Sequence, residues 1–323
     1  MKIVFFGTPE WAVPSLRSIV RSHHEIVGVV TAPDKAVGRS RVKQATAIKQ
    51  AARECEVGPV FQPETLRGAA RREEILGGEP DALVVVAYGK ILPGRLLDAP
   101  RYGAINLHFS LLPRHRGASP VHYAVLCGDR RSGVSTMQMD RGLDTGAILL
   151  QEECPLDDQV RSVTLGPRLA DLGAALIVRT LDGVEAGSIT PRRQNDEEAT
   201  LAPKLTREDG LVAWDRSAES ICRQWRALDP WPRVVFEAAC GSVRLLEVQV
   251  AKASSDGPCA NRGVPGEVLS REGDAVLVAC GRHSVLTVKR VQPAGRRPMT
   301  AAAACSGGFL SIGEILRNGS LGH

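Results

Sequence analysis

The segment "ALVVVAYG", residues 82–89, is apolar along nearly its whole length. A strand with one face in water alternates apolar and polar side chains, whereas a strand that is apolar throughout is buried on both faces. Three further segments read as strands: "KIVFF" (2–6), "EIVGVVT" (25–31) and "GAINLH" (103–108). Segments with helical spacing of apolar residues separate these strands. This alternation predicts an α/β fold with a Rossmann-like, mostly parallel sheet that is covered by helices on both faces.

The chain has 323 residues, more than a single hydrophobic core usually organises, so we expect two domains. The first spans 1–189 and ends with a long amphipathic helix. Residues 190–208 are polar, contain prolines and lack apolar periodicity, which is typical of a linker. From 209 to 323 a short helix precedes five short strands punctuated by glycine, and this pattern predicts a small β-barrel of the oligonucleotide-binding (OB) type.

Composition excludes several classes of protein. No apolar run reaches the roughly 18–20 residues of a membrane span, and charged and turn residues interrupt the first apolar stretch too early for a signal peptide. The eight cysteines are scattered without a Cys-x-x-Cys pair, so we expect neither a disulfide framework nor a metal cluster. We therefore predict a cytoplasmic protein with free thiols.

The positive charge is unevenly distributed. The net charge is only +5, but residues 35–53 contain six basic side chains and no acidic one, and residues 281–299 contain five and none. Two such segments favour a polyanionic partner that contacts both of them. The alternative is that each run is solvated surface charge.

The segment "AINLHFSLLPRHRGASP", residues 104–120, places Asn106 and His108 at the end of a predicted strand. Alternate residues of a strand share a face, so the amide and the imidazole point the same way. Ligands of open α/β sheets bind at the carboxyl ends of the strands, where this pair is expected. The alternative is a buried pair whose hydrogen bonds are satisfied by nearby backbone.

The segment "MQMDRGLDTGAIL", residues 137–149, places Asp140 and Asp144 in a turn between two strands. A carboxylate beside an imidazole fixes its tautomer and raises its basicity, although both acids could equally serve the turn itself. A metal site built from His108, Asp140 and Asp144 lacks a recognisable ligand motif, and we predict no metal. The opening "FFGTPEW" lacks the second and third glycines of a dinucleotide fingerprint, so NAD binding is not expected.

Four motifs together resemble the 10-formyltetrahydrofolate-dependent formyltransferases: "FFGTPEWAVPSL", "AYGKILP", "INLHFSLLPRHRGASP" and "MQMDRGLDTG". The likeness extends over nearly the whole chain, because "TAPDKAVGRSRVK", "DPWP" and "VQPAGRRPM" are similar to the branch whose acceptor is initiator methionyl-tRNA. The resemblance implies a formyl donor, 10-formyltetrahydrofolate, and an aminoacyl-tRNA acceptor. It implies a monomer that needs no metal.

The resemblance also implies roles for particular residues. The catalytic residues would be Asn106, His108 and Asp144. The folate pocket would comprise Ser110, Leu111, Leu112, Pro113, Tyr88, Gly89, Ile91 and Asp140. The contacts to tRNA would come from a flexible basic loop and from the barrel, through Arg39, Arg41, Lys43, Arg296 and Arg297.

The chemistry of these residue types agrees with that assignment. An aminoacyl amine that attacks a formyl carbon places negative charge on the formyl oxygen, and an amide and a protonated imidazole can both donate hydrogen bonds to it. Asp144 would hold His108 and help to move the proton. Arg114 and Arg116 are expected to flank the entrance, where they meet the tRNA end, folate carboxylates or solvent.

Two other functions stay open at this point. A related folate-dependent formyltransferase or hydrolase acting on a small amine or on water would share the three catalytic residues, but it would not need the basic segments or the barrel. A non-catalytic RNA-binding protein that keeps the enzyme fold would tolerate replacement of Asn106 and His108.

Overall fold

The structure is a computed structural model, and it describes residues 1–37, 42–251 and 263–320. The chain forms two compact units. The first comprises Met1–Ala124, Arg130–Asp157 and Thr164–Pro203. The second comprises Val125–Asp129, Asp158–Val163 and Lys204–His323.

The first unit is built around a seven-stranded sheet. The strands of this unit are β1 (Lys2–Gly7), β2 (Glu25–Val30), β3 (Lys35–Val37), β4 (Val42–Gln44), β5 (Val60–Phe61), β6 (Ala82–Val86), β7 (Ala104–His108), β8 (Arg131–Gln138) and β9 (Ile148–Pro155). The order in the sheet is β5-β2-β1-β6-β7-β8-β9. Pairing is parallel from β5 to β7 and antiparallel for β8 and β9. This arrangement confirms the predicted α/β fold class.

Six helices lie wholly or mostly in the same unit: α1 (Val13–Val20), α2 (Ala47–Glu54), α3 (Ala69–Leu76), α4 (Gly94–Leu97), α5 (Pro120–Cys127) and α6 (Ser162–Glu185). Local chemistry sets several of their ends. The Thr46 side chain caps α2 by accepting a hydrogen bond from the Lys49 N–H. Helix α3 begins at Ala69 because Gly68, at φ 103°, lies outside helical geometry.

The two faces of β7 point into different layers. Leu107 faces α6, which passes so close that a Cβ on Gly173 would lie 2.6 Å from a Leu107 methyl carbon. Ala104 belongs to the apolar cluster on the opposite face, together with Leu83 and Leu97. Because side chains alternate along a strand, Asn106 and His108 share the face of Ala104. Their polar groups therefore emerge where that apolar layer ends.

The stretch 190–203, predicted as the first part of a linker, belongs to the first unit. Arg192 forms an antiparallel bridge with Ile148, and Leu201 forms a parallel bridge with Arg116. The backbone N–H and C=O groups of this irregular stretch are satisfied by long-range hydrogen bonds. Such bonds leave no periodicity in the sequence.

The two ends of the predicted basic loop pair with each other as short strands. Strands β3 and β4 form an antiparallel hairpin in which Ala36 lies opposite Lys43. Lys43 is exposed. Arg39 and Arg41, the two other predicted tRNA contacts in this loop, lie outside the described residues.

The second unit contains an antiparallel sheet with the order β10-β11-β14-β13-β12, and β15 pairs with β14. Its elements are α7 (Ala218–Leu228), β10 (Val235–Ala238), β11 (Gly241–Val250), β12 (Val268–Glu272), β13 (Ala275–Cys280), β14 (Ser284–Pro293), β15 (Met299–Thr300) and α8 (Ala301–Ser306). Bridges from Arg317 to Glu237 and from Ile315 to Glu267 link the C-terminal segment to both edges of the sheet. The predicted smaller β-domain is therefore confirmed.

None of the helices in the described part of the chain combines the length and the apolar character that a bilayer span requires.

Candidate active site

A cavity of about 980 Å³ opens in the first unit at the carboxyl ends of β1, β6 and β7, beside the loop that joins β8 to β9. Its volume lies at the upper end of the range for small-molecule sites. Seven of the predicted site residues line it: Tyr88, Gly89, Ile91, Asn106, His108, Asp140 and Asp144. The sheet therefore brings together residues that are distant in the sequence.

The imidazole of His108 has an oxygen neighbour beside each ring nitrogen. Its Nε2 lies 2.9 Å from the backbone carbonyl oxygen of His115, and its Nδ1 lies 3.6 Å from the Asp144 Oδ2. A carbonyl oxygen can only accept, so Nε2 carries a proton in this contact. In the neutral ring, the lone pair is then on Nδ1, the nitrogen that faces Asp144.

The Asp144 carboxylate is oriented by backbone. Its Oδ2 accepts a hydrogen bond of 2.8 Å from the Gly117 N–H. Asp144 itself adopts φ 53°, a left-handed conformation that an L-residue rarely takes without external support. The loop around it is organised by Asp140, whose carboxylate accepts from the Gly142 N–H and from the Thr145 hydroxyl.

The Asn106 side chain is available to a ligand. It is half-buried in the cavity wall, and its carboxamide forms no hydrogen bond with the residues that the structure describes. A polar group in such a position usually has a partner. The carboxamide can therefore form hydrogen bonds with a group that enters the cavity.

The rest of the wall is largely apolar. Tyr88 packs edge-on against Phe6, with ring centroids 5.4 Å apart, and burial raises the pKa of its hydroxyl to about 12, so the phenol stays neutral. That hydroxyl has no hydrogen-bond partner in the described part of the chain. Ile91 and Leu143 lie on two different loops at the cavity and are 93% and 64% exposed. These apolar side chains can contact the flat face of a heterocycle.

On the α6 face, the Trp11 ring stacks on His122 and lies 6.1 Å from the ring of Phe109. Both Trp11 and Phe109 line the cavity. At the carboxyl ends of the strands, the site therefore has the aromatic rings of Trp11 and Phe109 on one face of the sheet and the polar residues Asn106 and His108 on the other.

The structure differs from the prediction for residues 110–113, because Ser110, Leu111, Leu112 and Pro113 do not contribute to the cavity wall. The Ser110 hydroxyl is buried and donates to the Arg114 carbonyl oxygen at 2.6 Å. The Leu112 side chain packs against Met137 and Ile148. The segment turns towards β8 and is part of the core beside the site.

Arg116 does not flank the entrance, contrary to expectation. It is 7% exposed, and its guanidinium donates to the Gln194 Oε1 at 3.0 Å and to the Asp196 carboxylate at 2.8 Å. Sequence reasoning missed Gln194, since a single glutamine in a polar stretch carries no pattern that would identify it.

One group of possible metal ligands occurs among the described residues, away from the cavity: His23, His24 and Asp182. Its atoms are already bonded. The His24 Nε2 donates to the Asp182 carboxylate at 3.0 Å, and the N-terminal amino group donates to the His24 Nδ1 at 3.2 Å. At the cavity, the Asp140 carboxylate serves its own turn. We assign no metal to either place.

Two histidines, the buried His24 and the half-buried His122, make the fold sensitive to acid. Burial lowers the pKa of His24, reinforced by the charges of His23 and the N-terminal amine, and burial lowers that of His122. In the unfolded chain both titrate near their ordinary value of about 6.5. The unfolded state therefore binds more protons below that pH, and the free energy of unfolding decreases as the pH falls.

We expect urea midpoints to be constant above about pH 7.5 and to fall towards about pH 5.5. The variant His122→Phe, which keeps an aromatic ring against Trp11, is expected to show a smaller decrease. An equal pH dependence in this variant and the native chain would contradict the assignment to His122.

The predicted tRNA contacts in the second unit are exposed. Arg296 and Arg297 lie after β14, and the Arg296 guanidinium lies 5.5 Å from the ring centroid of Phe309. Exposed arginines held by an aromatic ring can contact phosphates without a large loss of side-chain freedom.

Comparisons with known proteins agree with the geometry. The family model "Formyl transferase" matches residues 1–181, and "Formyl transferase, C-terminal domain" matches residues 204–309. A protein of Paramagnetospirillum magneticum named methionyl-tRNA formyltransferase is 41% identical over 319 residues, which are 98% of this chain and 100% of the relative. One of Citrifermentans bemidjiense with the same name is 40% identical over 316 residues, covering 98% and 96%.

Among solved structures, the N-formyltransferase from Helicobacter canadensis, in complex with folinic acid and dTDP-3-aminofucose, superposes with a TM-score of 0.64. The match covers 89% of this chain and 98% of that one, at 15% identity. At this identity the likeness shows a shared fold alone.

Proposed function

The chain belongs to the formyl transferase family, and we propose that it transfers the formyl group of 10-formyltetrahydrofolate to the free amino group of initiator methionyl-tRNA. The product, formylmethionyl-tRNA, supports translation initiation. The observation that carries the assignment of the site is the unpartnered Asn106 carboxamide beside the His108–Asp144 pair in one cavity.

The residues present fit a folate. The cavity offers apolar walls at Ile91 and Leu143, a neutral buried hydroxyl on Tyr88 and a free carboxamide on Asn106. When bound, 10-formyltetrahydrofolate supplies an electrophilic formyl group on a nitrogen that becomes the leaving group. Asp140, through its turn, shapes the wall from which Leu143 projects.

Asn106 stabilises developing charge. Its side-chain N–H groups are held at the end of β7 and donate to the formyl oxygen as the amine attacks. The strand fixes the backbone of Asn106 before the reaction, which limits the reorganisation that must accompany the developing charge.

His108, assisted by Asp144, moves a proton from the attacking amine to the leaving nitrogen. The contact between Nε2 and the His115 carbonyl leaves Nδ1 free to take a proton from the attacking amine. The Asp144 carboxylate, 3.6 Å away, stabilises the imidazolium that results. The same Nδ1–H then returns the proton to the leaving nitrogen.

The direct test is incubation of the purified chain with 10-formyltetrahydrofolate and initiator methionyl-tRNA, with formylmethionine as the readout. A dTDP-amino sugar and water serve as competing acceptors. Formylation of the tRNA alone supports the proposal, whereas formylation of the sugar or hydrolysis without tRNA product would favour the rival functions.

We further propose that tRNA binding is electrostatic and uses Arg39, Arg41 and Lys43 together with Arg296 and Arg297. The dissociation constant for initiator tRNA should rise steeply with salt, because each phosphate contact releases counterions. Replacing Arg296 and Arg297 with glutamine should reduce the slope of log Kd against log salt by about 1 for each lost contact.

The control is Arg179→Gln, which removes an exposed arginine of α6 that pairs with Glu152. It should leave the salt slope unchanged. Equal slopes in the native chain and the Arg296→Gln/Arg297→Gln variant would contradict the proposed interface. Filter binding at several salt concentrations measures both.

We place the reaction in the cytoplasm and take the active species to be a monomer. The seven cysteines among the described residues form no disulfide with one another, as is usual in a reducing compartment. One chain also supplies Asn106, His108 and Asp144, so the site needs no second copy. Sedimentation of the active enzyme tests the oligomeric state.

A further inference from the structure

Residues 190–203, which we call the strap, run beside the loop that follows β7. The Arg116 N–H donates to the Thr200 carbonyl at 2.8 Å, and the Ala202 N–H donates to the Arg116 carbonyl at 2.7 Å. The Thr200 hydroxyl accepts from the His115 N–H at 2.8 Å. The strap therefore fixes the backbone on both sides of the His115 carbonyl, the group that holds His108.

Gln194 connects the strap to the second loop of the site. Its side chain is nearly buried, and its Nε2 donates to the carbonyl oxygens of Asp144 at 2.8 Å and Gly146 at 2.7 Å. Its Oε1 accepts from the Arg116 Nε. Both amide hydrogens and the oxygen are used, so this one carboxamide joins the Asp144 loop to the loop of His115.

The two joined loops supply both oxygen neighbours of the His108 ring. The His115 carbonyl binds Nε2, Asp144 faces Nδ1, and the Gly117 N–H orients the Asp144 carboxylate. His115 and Asp144 both have left-handed backbones, at φ 59° and 53°. Such conformations persist only where surrounding contacts impose them.

We propose that Gln194 is a positioning residue for the reaction and acts through Asp144 and His108 without touching substrate. This inference rests on the proposed function. Loss of its hydrogen bonds lets the Asp144 loop move away from His108, so that the carboxylate no longer stabilises the imidazolium. Binding of folate and tRNA does not depend on Gln194, which is not part of the cavity wall.

The test uses the full chain with Gln194→Met, which preserves side-chain length without hydrogen bonds, and Gln194→Ala as a second variant. We expect kcat to fall about 10–100-fold, the usual effect of removing a group that orients an active-site residue, with KM for both substrates nearly unchanged. The matched control is Glu197→Gln, an exposed position of the same strap, with activity close to that of the native chain.

A double-mutant cycle with Asp144→Asn separates positioning from general damage to the fold. If Gln194 acts through Asp144, then Gln194→Met should have little further effect on kcat once Asp144 is replaced. An equal loss of kcat in the two backgrounds, or a change confined to KM, would overturn the proposal.

A second readout does not require activity. Proton–nitrogen correlation spectra of the histidine rings should show His108 protonated on Nε2 in both proteins, with a shifted Nδ1 resonance in Gln194→Met, where the Asp144 carboxylate no longer faces that nitrogen. An unchanged Nδ1 resonance would overturn the inference even if the proposed reaction were not observed. Absence of formyl transfer by the native chain would instead count against the proposed function.

Discussion

Replacing Asn106 with alanine is expected to lower the rate constant for formyl transfer by about 10²–10³, the usual effect of removing one oxyanion donor. The carboxamide projects from β7 into the cavity, is half-buried and has no hydrogen bond to the described residues. Its removal therefore breaks no hydrogen bond among those residues. The loss should appear in kcat measured with saturating substrates and in single-turnover experiments.

Asn106→Asp provides the matched comparison, because aspartate keeps the shape of the side chain but an ionised carboxylate cannot donate. We expect it to be at least as damaging as alanine. Thermal unfolding of both variants should be close to that of the native chain. Activity of Asn106→Ala within a few-fold of native would remove the carboxamide from the mechanism.

Replacing His108 with alanine should reduce kcat by about 10²–10⁴, the range for loss of a general acid–base group. The ring is 5% exposed and bound to the His115 carbonyl, so alanine also leaves a small cavity and an unpaired carbonyl oxygen. Some loss of stability should accompany the loss of rate. The rate is measured under conditions where the variant remains folded.

His23→Gln is the histidine control. His23 is exposed and pairs with Glu185, away from the cavity, so activity should be unchanged. Asp144→Asn tests the partner of His108: it keeps the acceptor oxygen for the Gly117 N–H but removes the negative charge. Native rates in both His108→Ala and Asp144→Asn would show that the proton moves without this pair.

Much of the fold follows from local sequence patterns. The β-strands of the first sheet that are apolar throughout, such as β1 and β6, can only be buried on both faces, and that requirement produces a parallel sheet between helices. In the second unit, the five predicted strands are present as β10 to β14. Residues 315–317 link that sheet's edges by pairing that no local pattern predicts.

The sequence indicated which polar residues lie together at the cavity, but it did not indicate the path of the loops beside them. Asn106 and His108 stand out because they interrupt a buried strand, and Asp144 because it follows a strand end. By contrast, the path of residues 110–113 depends on packing against Met137 and Ile148. Such long-range contacts leave no local signal.

The strap illustrates the same limit. Its polar, irregular sequence is typical of a linker, but Thr200 and Gln194 find partners more than forty positions away in the chain. The sequence indicated a surface position for Arg116 for the same reason. Charged residues are rarely buried without a partner, and the sequence does not show which residues will be the partners. Here the partners are Gln194 and Asp196.

The most direct test of the account is single-turnover formylation of initiator methionyl-tRNA by the native chain and by the double variant Asn106→Ala/His108→Ala, both saturated with 10-formyltetrahydrofolate. We predict formylmethionine at a measurable rate from the native chain and a rate at least about 10² lower from the double variant, with tRNA binding retained. Comparable rates from the two proteins would contradict the assignment of the reaction to this cavity.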